Sequence, residues 1–232
     1  MAGSRSPEVR TVAIIQARTG STRLPEKVLA DIKGVPMLQR VITRVQRAET
    51  VDQVVVATTT LARDDIVATL AEHLGCGVFR GDERDVLGRY VAAAREWPAD
   101  MYVRITADCP LIDPGVIDRA VRSLRVSGYD FATNSVQRTF PKGLDVEVCW
   151  ADVLPRCDRL FDSPNAREHV FWGIYAERPE LFLIRHLKDD TDHSAMVWCV
   201  DSPADLAYVR TIYDDSADYR TLIERCEART PA

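Results

Sequence analysis

The stretch IIQARTGSTRLPEK (residues 14–27) passes directly from an apolar, β-branched run into a loop that holds Arg18, Arg23 and Lys27, with Gly20, Ser21 and Thr22 among them. Runs of Val and Ile like this one, preceded here by Thr11, Val12 and Ala13, are the habit of strands buried on both faces in a parallel sheet covered by helices. In open α/β sheets ligands bind beyond the C-terminal strand edges, so the loop after the first strand is the first place to look. Three cations within ten residues, with too few carboxylates alongside to neutralise them, suit a bound anion; a solvated basic loop suits the same residues. Neither G-x-G-x-x-G nor G-x-x-x-x-G-K-[ST] occurs, which excludes a dinucleotide fingerprint and a Walker-type phosphate loop. Gly20 and Ser21 still let backbone N–H groups approach a phosphate, while Arg and Lys supply charge-assisted contacts.

Outward from this stretch the alternation repeats. After a predicted strand over residues 11–16, a helix follows Pro36 with Met37, Leu38, Val41, Ile42 and Val45 on one face. QVVVATT (53–59) leads to a predicted helix over 64–74, GVFR (77–80) to one over 82–96, and MYVRIT (101–106) to one opening near Pro114. Beyond Arg125 the rhythm changes. YDFATN (129–134) and GLDVEVCW (143–150) alternate like strands of a mixed or antiparallel arrangement, 164–177 and 203–213 read as helices, and AMVWCVD (195–201) reads as a further buried strand ending in a carboxylate. The expected architecture is α/β, a Rossmann-like and mostly parallel sheet flanked by helices, with a mixed or antiparallel extension. A single domain is expected over 11–213, with a flexible N-terminal tail (1–10) and a C-terminal tail (214–232).

The 232 residues are 46% hydrophobic and 28% charged, enough for one substantial core. No apolar run reaches the length of a membrane span and the first ten residues lack the apolar centre of a signal peptide, so a cytoplasmic location without membrane partners is expected. Six scattered cysteines without a C-x-x-C pair, and four histidines, encode neither a disulfide framework nor a zinc site. The net charge of −5 argues against a nucleic-acid partner. Residues 1–50 nevertheless carry nine Lys/Arg against four Asp/Glu, so the remainder is strongly acidic. That asymmetry fits a small polyanion at one local site better than a long backbone across the surface.

The run IIQARTGSTRLPEKVLADIKGVPML (14–38) resembles the signature loop of nucleotide-sugar cytidylyltransferases, the family of the CMP-acylneuraminate and CMP-Kdo synthetases. VVVATTT (54–60), VFRGDERDVLGRY (78–90), VRITADCPLIDP (103–114), GLDVEV (143–148), REHVF (167–171) and WCVDSPADL (198–206) resemble, in order and spacing, its spore coat polysaccharide biosynthesis protein F-like branch. The resemblance covers about 11–213 and implies a fold of the nucleotide-diphospho-sugar transferase type. It implies that Arg18 and Lys27 hold the triphosphate of CTP, with Ala17, Gly20, Ser21 and Arg23 lining the same loop, so that the counter-charges missing from the loop arrive with the nucleotide. Two positions depart from the pattern: Glu26 and Ala107 stand where relatives often have glycine, which bears on local geometry or affinity.

On the residues alone Asp108, ahead of Pro110, and Asp201, ahead of Ser202 and Pro203, read as helix caps. The resemblance implies instead that they hold Mg²⁺, an ion bound through one or two carboxylates with water and phosphate oxygens. It also implies base selection by Thr58, Thr59, Arg80, Gly81, Asp82 and Thr106; Arg80 and Asp82 alone read equally as a surface ion pair. Asp145 and Glu147 share one strand face and are candidates for gripping the acceptor or completing the metal shell, or are ordinary polar residues facing water. Arg167, Glu168 and His169 resemble the family's acceptor-side motif, and His169 is a conceivable general base. The expected reaction is attack of an acceptor oxygen on the α-phosphorus of CTP with release of pyrophosphate, catalysed by Arg18, Lys27 and Asp108. The acceptor implied is an acidic keto-acid sugar; a phosphonate or polyol phosphate, or an inactive nucleotide-binding partner of a glycosyltransferase, are the alternatives. Relatives also suggest a homodimer.

Overall fold

The computed structural model describes residues 9–228. The strand predicted at the start is β1 (Thr11–Gln16), and its alternate residues are buried on opposite sides: Ala13 and Ile15 in one core, Val12 and Ile14 in another. Two short strands, β2 (Asp31–Ile32) and β3 (Val35–Pro36), form a hairpin ahead of helix α1 (Met37–Gln46). Strand β4 (Gln53–Thr59), helix α2 (Asp65–His73), strand β5 (Gly77–Gly81), helix α3 (Val86–Glu96), strand β6 (Met101–Thr106) and helix α4 (Pro114–Arg125) follow in the predicted rhythm. Asp85 caps α3 through the Gly88 amide, and Asp113 caps α4 ahead of Pro114 at the first helical position.

The second half contributes β7 (Phe131–Thr133), β8 (Glu147–Trp150), α5 (Val153–Leu160), α6 (Pro164–His169), β9 (Ile184–His186), α7 (Pro203–Ile212) and α8 (Tyr219–Glu227). All but β2 and β3 join one seven-stranded sheet of order β5-β4-β1-β6-β8-β7-β9. The first four strands of that order run parallel; β8 is antiparallel to both β6 and β7, and β9 is parallel to β7. The mixed extension expected beyond Arg125 is therefore present. Its effect is to bring the start of β8, at Glu147, to the same sheet edge as the ends of β1 and β6, with Arg104 directly opposite Glu147 in register.

Three expectations are corrected. The segment 195–201 is not a strand: two backbone bonds to Lys142 make an isolated bridge and one bond runs to Asp108, so no ladder extends along it, although Trp198 within it is fully buried. Residues 164–177 do not make one helix. Val170, with φ 56° and ψ −64°, ends α6 in a tight turn closed by the Phe171 amide on the His169 carbonyl, and a separate π-helical turn follows over Gly173–Glu177. Where a C-terminal tail is expected over 214–232, the described residues include the helix α8, capped by Asp218 and anchored by the fully buried Leu222. The N-terminal tail expected over 1–10 lies mostly outside the described residues. Among the described residues no helix is long and apolar enough to cross a membrane.

Candidate active site

The loop after β1 is shaped by its own backbone and by Asp64. The Thr19 amide and hydroxyl both bond the fully buried Asp64 carboxylate at 2.7 Å, and Thr59 at the end of β4 donates to the same group. Thr59 and Asp64 thus tie the loop to the neighbouring strand. Further on, Glu26 takes the left-handed conformation, φ 55°, and opens the short 3-10 turn Lys27–Leu29. L-residues adopt that conformation at a cost glycine avoids, which fits the glycine that the resemblance implies at this position. The Glu26 side chain is exposed and does not line the cavity described below. Ala107 has no positive φ, so the alanine is unstrained there.

The turn sends Lys27 across the sheet edge. Its Nζ donates to Asp108 Oδ2 at 2.8 Å, to the Val200 carbonyl at 3.0 Å and to Asp201 Oδ1 at 3.1 Å. Burial alone would depress the Lys27 ammonium, but Asp108 and then Asp201 overcome it and leave it above the ordinary lysine value. Burial likewise pushes the Asp108 carboxyl up, and Lys27 together with the neighbouring hydrogen bonds reverses this and holds it below the ordinary carboxylate value. Neither aspartate caps a helix, since Asp113 caps α4 and a Ser202–Asp205 capping box opens α7. Asp201 arrives here because Gly143, φ 112°, lets the 198–199 backbone pass: a Cβ at Gly143 would lie 2.6 Å from the Cys199 amide nitrogen.

The cations of the loop are not left unpaired. Arg18 Nη1 meets Glu83 Oε1 at 3.2 Å, Arg63 pairs with the same oxygen, and Arg23 reaches Asp201 at 3.2 Å. Too few carboxylates lie alongside this loop in the sequence, as expected, but the fold brings others to it. The partners are distant in sequence, after β5, β6 and the 195–201 segment, where local reading does not see them.

Ala17, Arg18, Gly20, Ser21, Arg23 and Lys27 line one cavity of about 490 Å³ together with Thr106, Asp108 and Asp201. Asp145, Glu168 and His169 close its far side. A second cavity of about 430 Å³ shares Thr106, Asp145 and His169 with the first and adds Arg104, Arg138, Glu147, Trp172 and Tyr175. Arg138 pairs with Asp145 through both guanidinium Nη atoms, and Arg104 pairs with Glu147. Burial lifts the Glu147 carboxyl above its ordinary value even with Arg104 beside it, and pushes the Tyr175 phenol up to about 12.

Other candidates lie elsewhere. Thr58 is fully buried; Arg80 turns to the Thr59 and Leu61 carbonyls and to Asp65; Asp82 accepts the amides of Arg84 and Asp85. With Gly81, none of these lines either cavity. Arg167 is occupied by Asp85 and Asp158, joining α6 to α3 and α5. Reading the sequence missed Arg104, Arg138, Glu83, Trp172 and Tyr175. A signal existed for Arg104, a lone charge inside the apolar run MYVRIT, which needs a buried partner; none existed for the others. Among the described residues no group of three or more His, Cys, Asp and Glu side chains is placed to hold a metal ion.

Residues 12–151 match the model of a family described as Cytidylyltransferase. The chain is 37% identical over 229 residues to a 3-deoxy-manno-octulosonate cytidylyltransferase of Trichlorobacter lovleyi, covering 94% of this chain and 83% of that one. It is 29% identical over 214 residues to the spore coat polysaccharide biosynthesis protein SpsF of Bacillus subtilis, covering 88% and 87%. A cytidylyltransferase structure from Leptospira borgpetersenii superposes with a TM-score of 0.90 at 32% identity, over 95% of this chain and 94% of that one.

Proposed function

The chain belongs to the cytidylyltransferase family and is a nucleotidyltransferase; from that premise we propose that it transfers CMP from CTP to an acidic keto-acid sugar, releasing pyrophosphate. The observation that carries this reading is the convergence of Lys27 on Asp108 and Asp201 at the edge where β1 and β6 end. An ammonium shared by two carboxylates is a cation site already assembled. Mg²⁺ fits the same pair, because it is held by one or two carboxylates with phosphate oxygens and water completing its shell. Asp108 and Asp201 would hold it, and when bound it offsets negative charge on the phosphates.

The chain's own residues supply the rest. Arg18, Arg23 and Lys27, with the backbone of Gly20 and Ser21, take up the triphosphate, exchanging their carboxylate partners for phosphate oxygens. Charge accumulating on departing pyrophosphate is then met by groups already in place, which is the larger part of phosphoryl-transfer catalysis. The two cavities share Thr106, Asp145 and His169, which suits an acceptor bound in the second beside a nucleotide bound in the first. Arg138, partly exposed and already bound to Asp145, receives the acceptor's carboxylate, and Asp145 is left to bind hydroxyls. His169 lines both cavities, which supports its use as the base that takes the proton from an anomeric hydroxyl.

Pyrophosphate release from CTP across a panel of acceptors tests this. Turnover with keto-acid sugars, abolished by Asp108→Asn with the fold retained, is the expected result. Turnover confined to phosphonates or polyol phosphates would replace the acceptor class, and CTP binding without turnover on any of them would refute the enzymatic reading.

A further inference from the structure

Asp64 stands immediately before α2, at the N-cap position, where an aspartate ordinarily accepts an amide of the first helical turn. It makes no such bond. Its fully buried carboxylate instead gives Oδ1 to the Thr19 amide and hydroxyl, both at 2.7 Å, and Oδ2 to the Thr59 hydroxyl. Among the described residues no cation is ion-paired with it. Burial alone would raise this carboxyl, but the hydrogen bonds from Thr59 and Thr19 outweigh it and hold it below the ordinary carboxylate value. A buried charge answered by hydrogen bonds alone is costly, and two of the three donors here belong to the loop after β1.

Thr19 is the hub of that loop. Its carbonyl accepts the Ser21 amide at 2.7 Å and the Glu26 amide at 3.1 Å, closing a three-residue turn around Gly20 and the wider turn that returns the chain to Lys27. Thr19 itself is buried, whereas Thr22, Arg23, Pro25 and Glu26 are exposed, so core packing does little to fix them. Glu26 in turn holds the left-handed conformation that opens the turn carrying Lys27 to Asp108. The residue beside Asp64 adds a second constraint. A Cβ on Gly20 would lie 2.9 Å from Arg63 Nη2 and 2.8 Å from Glu83 Oε1, so the loop fits closely against that ion pair. Residues 63 and 64 thus each hold one part of the loop.

We infer that Asp64 is the positioning residue of the β1 loop: through Thr19 it sets the backbone of Gly20 and Ser21, and through Glu26 the approach of Lys27, in the arrangement that receives a triphosphate. Asp64 lines neither cavity and acts only through the loop. The inference rests on the proposed use of CTP and deepens it by naming the residue that orders the phosphate-binding loop before the nucleotide arrives.

Asp64→Ala, Asp64→Asn and Thr19→Val are compared with the wild type, with thermal melts confirming that each folds. Hydrogen–deuterium exchange reads the loop without nucleotide: in Asp64→Ala the amides of residues 19–27 exchange about tenfold faster or more, while those of β6 are unchanged. Calorimetry with CTP and Mg²⁺ shows Asp64→Ala binding about 10- to 100-fold more weakly, as expected when buried hydrogen bonds are lost. The KM for the acceptor stays within about threefold, because the second cavity is untouched. Asparagine keeps an oxygen for Thr19 and offers an N–H to the Thr59 oxygen, so Asp64→Asn returns CTP affinity to within about fivefold of the wild type. Thr19→Val removes one of the three bonds, loses about 3- to 10-fold in CTP affinity, and serves if Asp64→Ala fails to fold. A merely structural role predicts a lower Tm and less competent protein at unchanged CTP affinity. That result, unchanged exchange over 19–27, or no rescue by asparagine overturns the inference. Failure of the wider functional reading is distinguishable: a loop that loosens as described in a protein whose wild type does not bind CTP sinks the nucleotide and leaves the ordering role intact.

Discussion

Replacing Lys27 by methionine isolates the contact around which the cavity is organised. The ammonium is 14% exposed and sits between carboxylates that are 27% and 26% exposed. Unit charges about 4 Å apart interact by about 4 kcal/mol at an effective dielectric near 20, and partial exposure of both carboxylates reduces this. Removing the lysine also leaves two carboxylate oxygens under about 6 Å apart with nothing between them, so a net loss of about 2–3 kcal/mol at neutral pH is expected. For a domain of this size that lowers Tm by about 4–12 °C. The sign of the pH dependence is diagnostic. In the wild type the Lys27 contribution is complete below the ordinary lysine value, and the depressed Asp108 carboxyl contributes above its ordinary value of 3.8, so both are fully present between pH 5 and 8. In the variant Asp108 loses its cation while keeping its burial and its carboxylate neighbour, so its carboxyl rises and the folded state takes up protons more readily than the unfolded chain. The deficit in Tm is therefore widest at pH 8 and narrows toward pH 5. With nucleotide absent, Mn²⁺ raises the Tm of Lys27→Met more than that of the wild type, whose carboxylates are already occupied. Thermal melts in EDTA and in Mn²⁺ across that range check both effects. A deficit that does not change with pH, or an equal response to Mn²⁺, would refute the account of Lys27 as an internal counter-ion.

Two further outcomes follow from the ion pairs. Glu83→Gln frees Arg18 and Arg63 from their shared carboxylate and tightens CTP binding about 2- to 5-fold at low ionic strength, less in salt; calorimetry that instead shows weakened binding would mean Glu83 holds Arg18 in position rather than competing with phosphate. Arg104→Leu strands a buried Glu147 and costs about 3–5 kcal/mol, whereas Arg104→Leu with Glu147→Leu recovers most of it; urea unfolding of the full cycle reads the coupling, and additive losses would refute it.

The parallel half of the sheet was legible because its strands are apolar runs buried on both faces, each followed by a helix whose apolar stripe matches: Met37, Leu38, Val41, Ile42 and Val45 are all fully buried as expected. What the local pattern did not carry was pairing at a distance. The 195–201 run is as apolar as a strand, but its neighbours are the 142 backbone and the loop after β6, and no periodicity reports that. At Val170 the backbone does what a β-branched residue rarely does, φ 56°, so a helical reading through 164–177 followed the residues and missed the break. The site divides the same way. Positions on the β1 loop and just after β6 line one cavity because those strand ends face one edge, whereas Arg80 and Asp82 lie outside it because the β5 loop turns its side chains back on the backbone.

The charge arrangement explains why a loop so basic can be stable without a ligand. Arg18, Arg23 and Lys27 brought together unpaired would repel one another; Glu83, Asp201 and Asp108 lower that cost, and because two of them come from β6 and the 195–201 segment, pairing also fixes the loop to the opposite side of the cavity. On the proposed function a triphosphate bound here must displace carboxylates before it gains contacts, so its affinity is a difference between two sets of ion pairs. Lys27 sets the largest part of that difference, being the least exposed of the three and the one bound to two carboxylates. A divalent ion held, as proposed, by Asp108 and Asp201 would release Lys27 to phosphate, which would make ion and nucleotide binding mutually reinforcing: each would remove the counter-charge that the other otherwise has to displace.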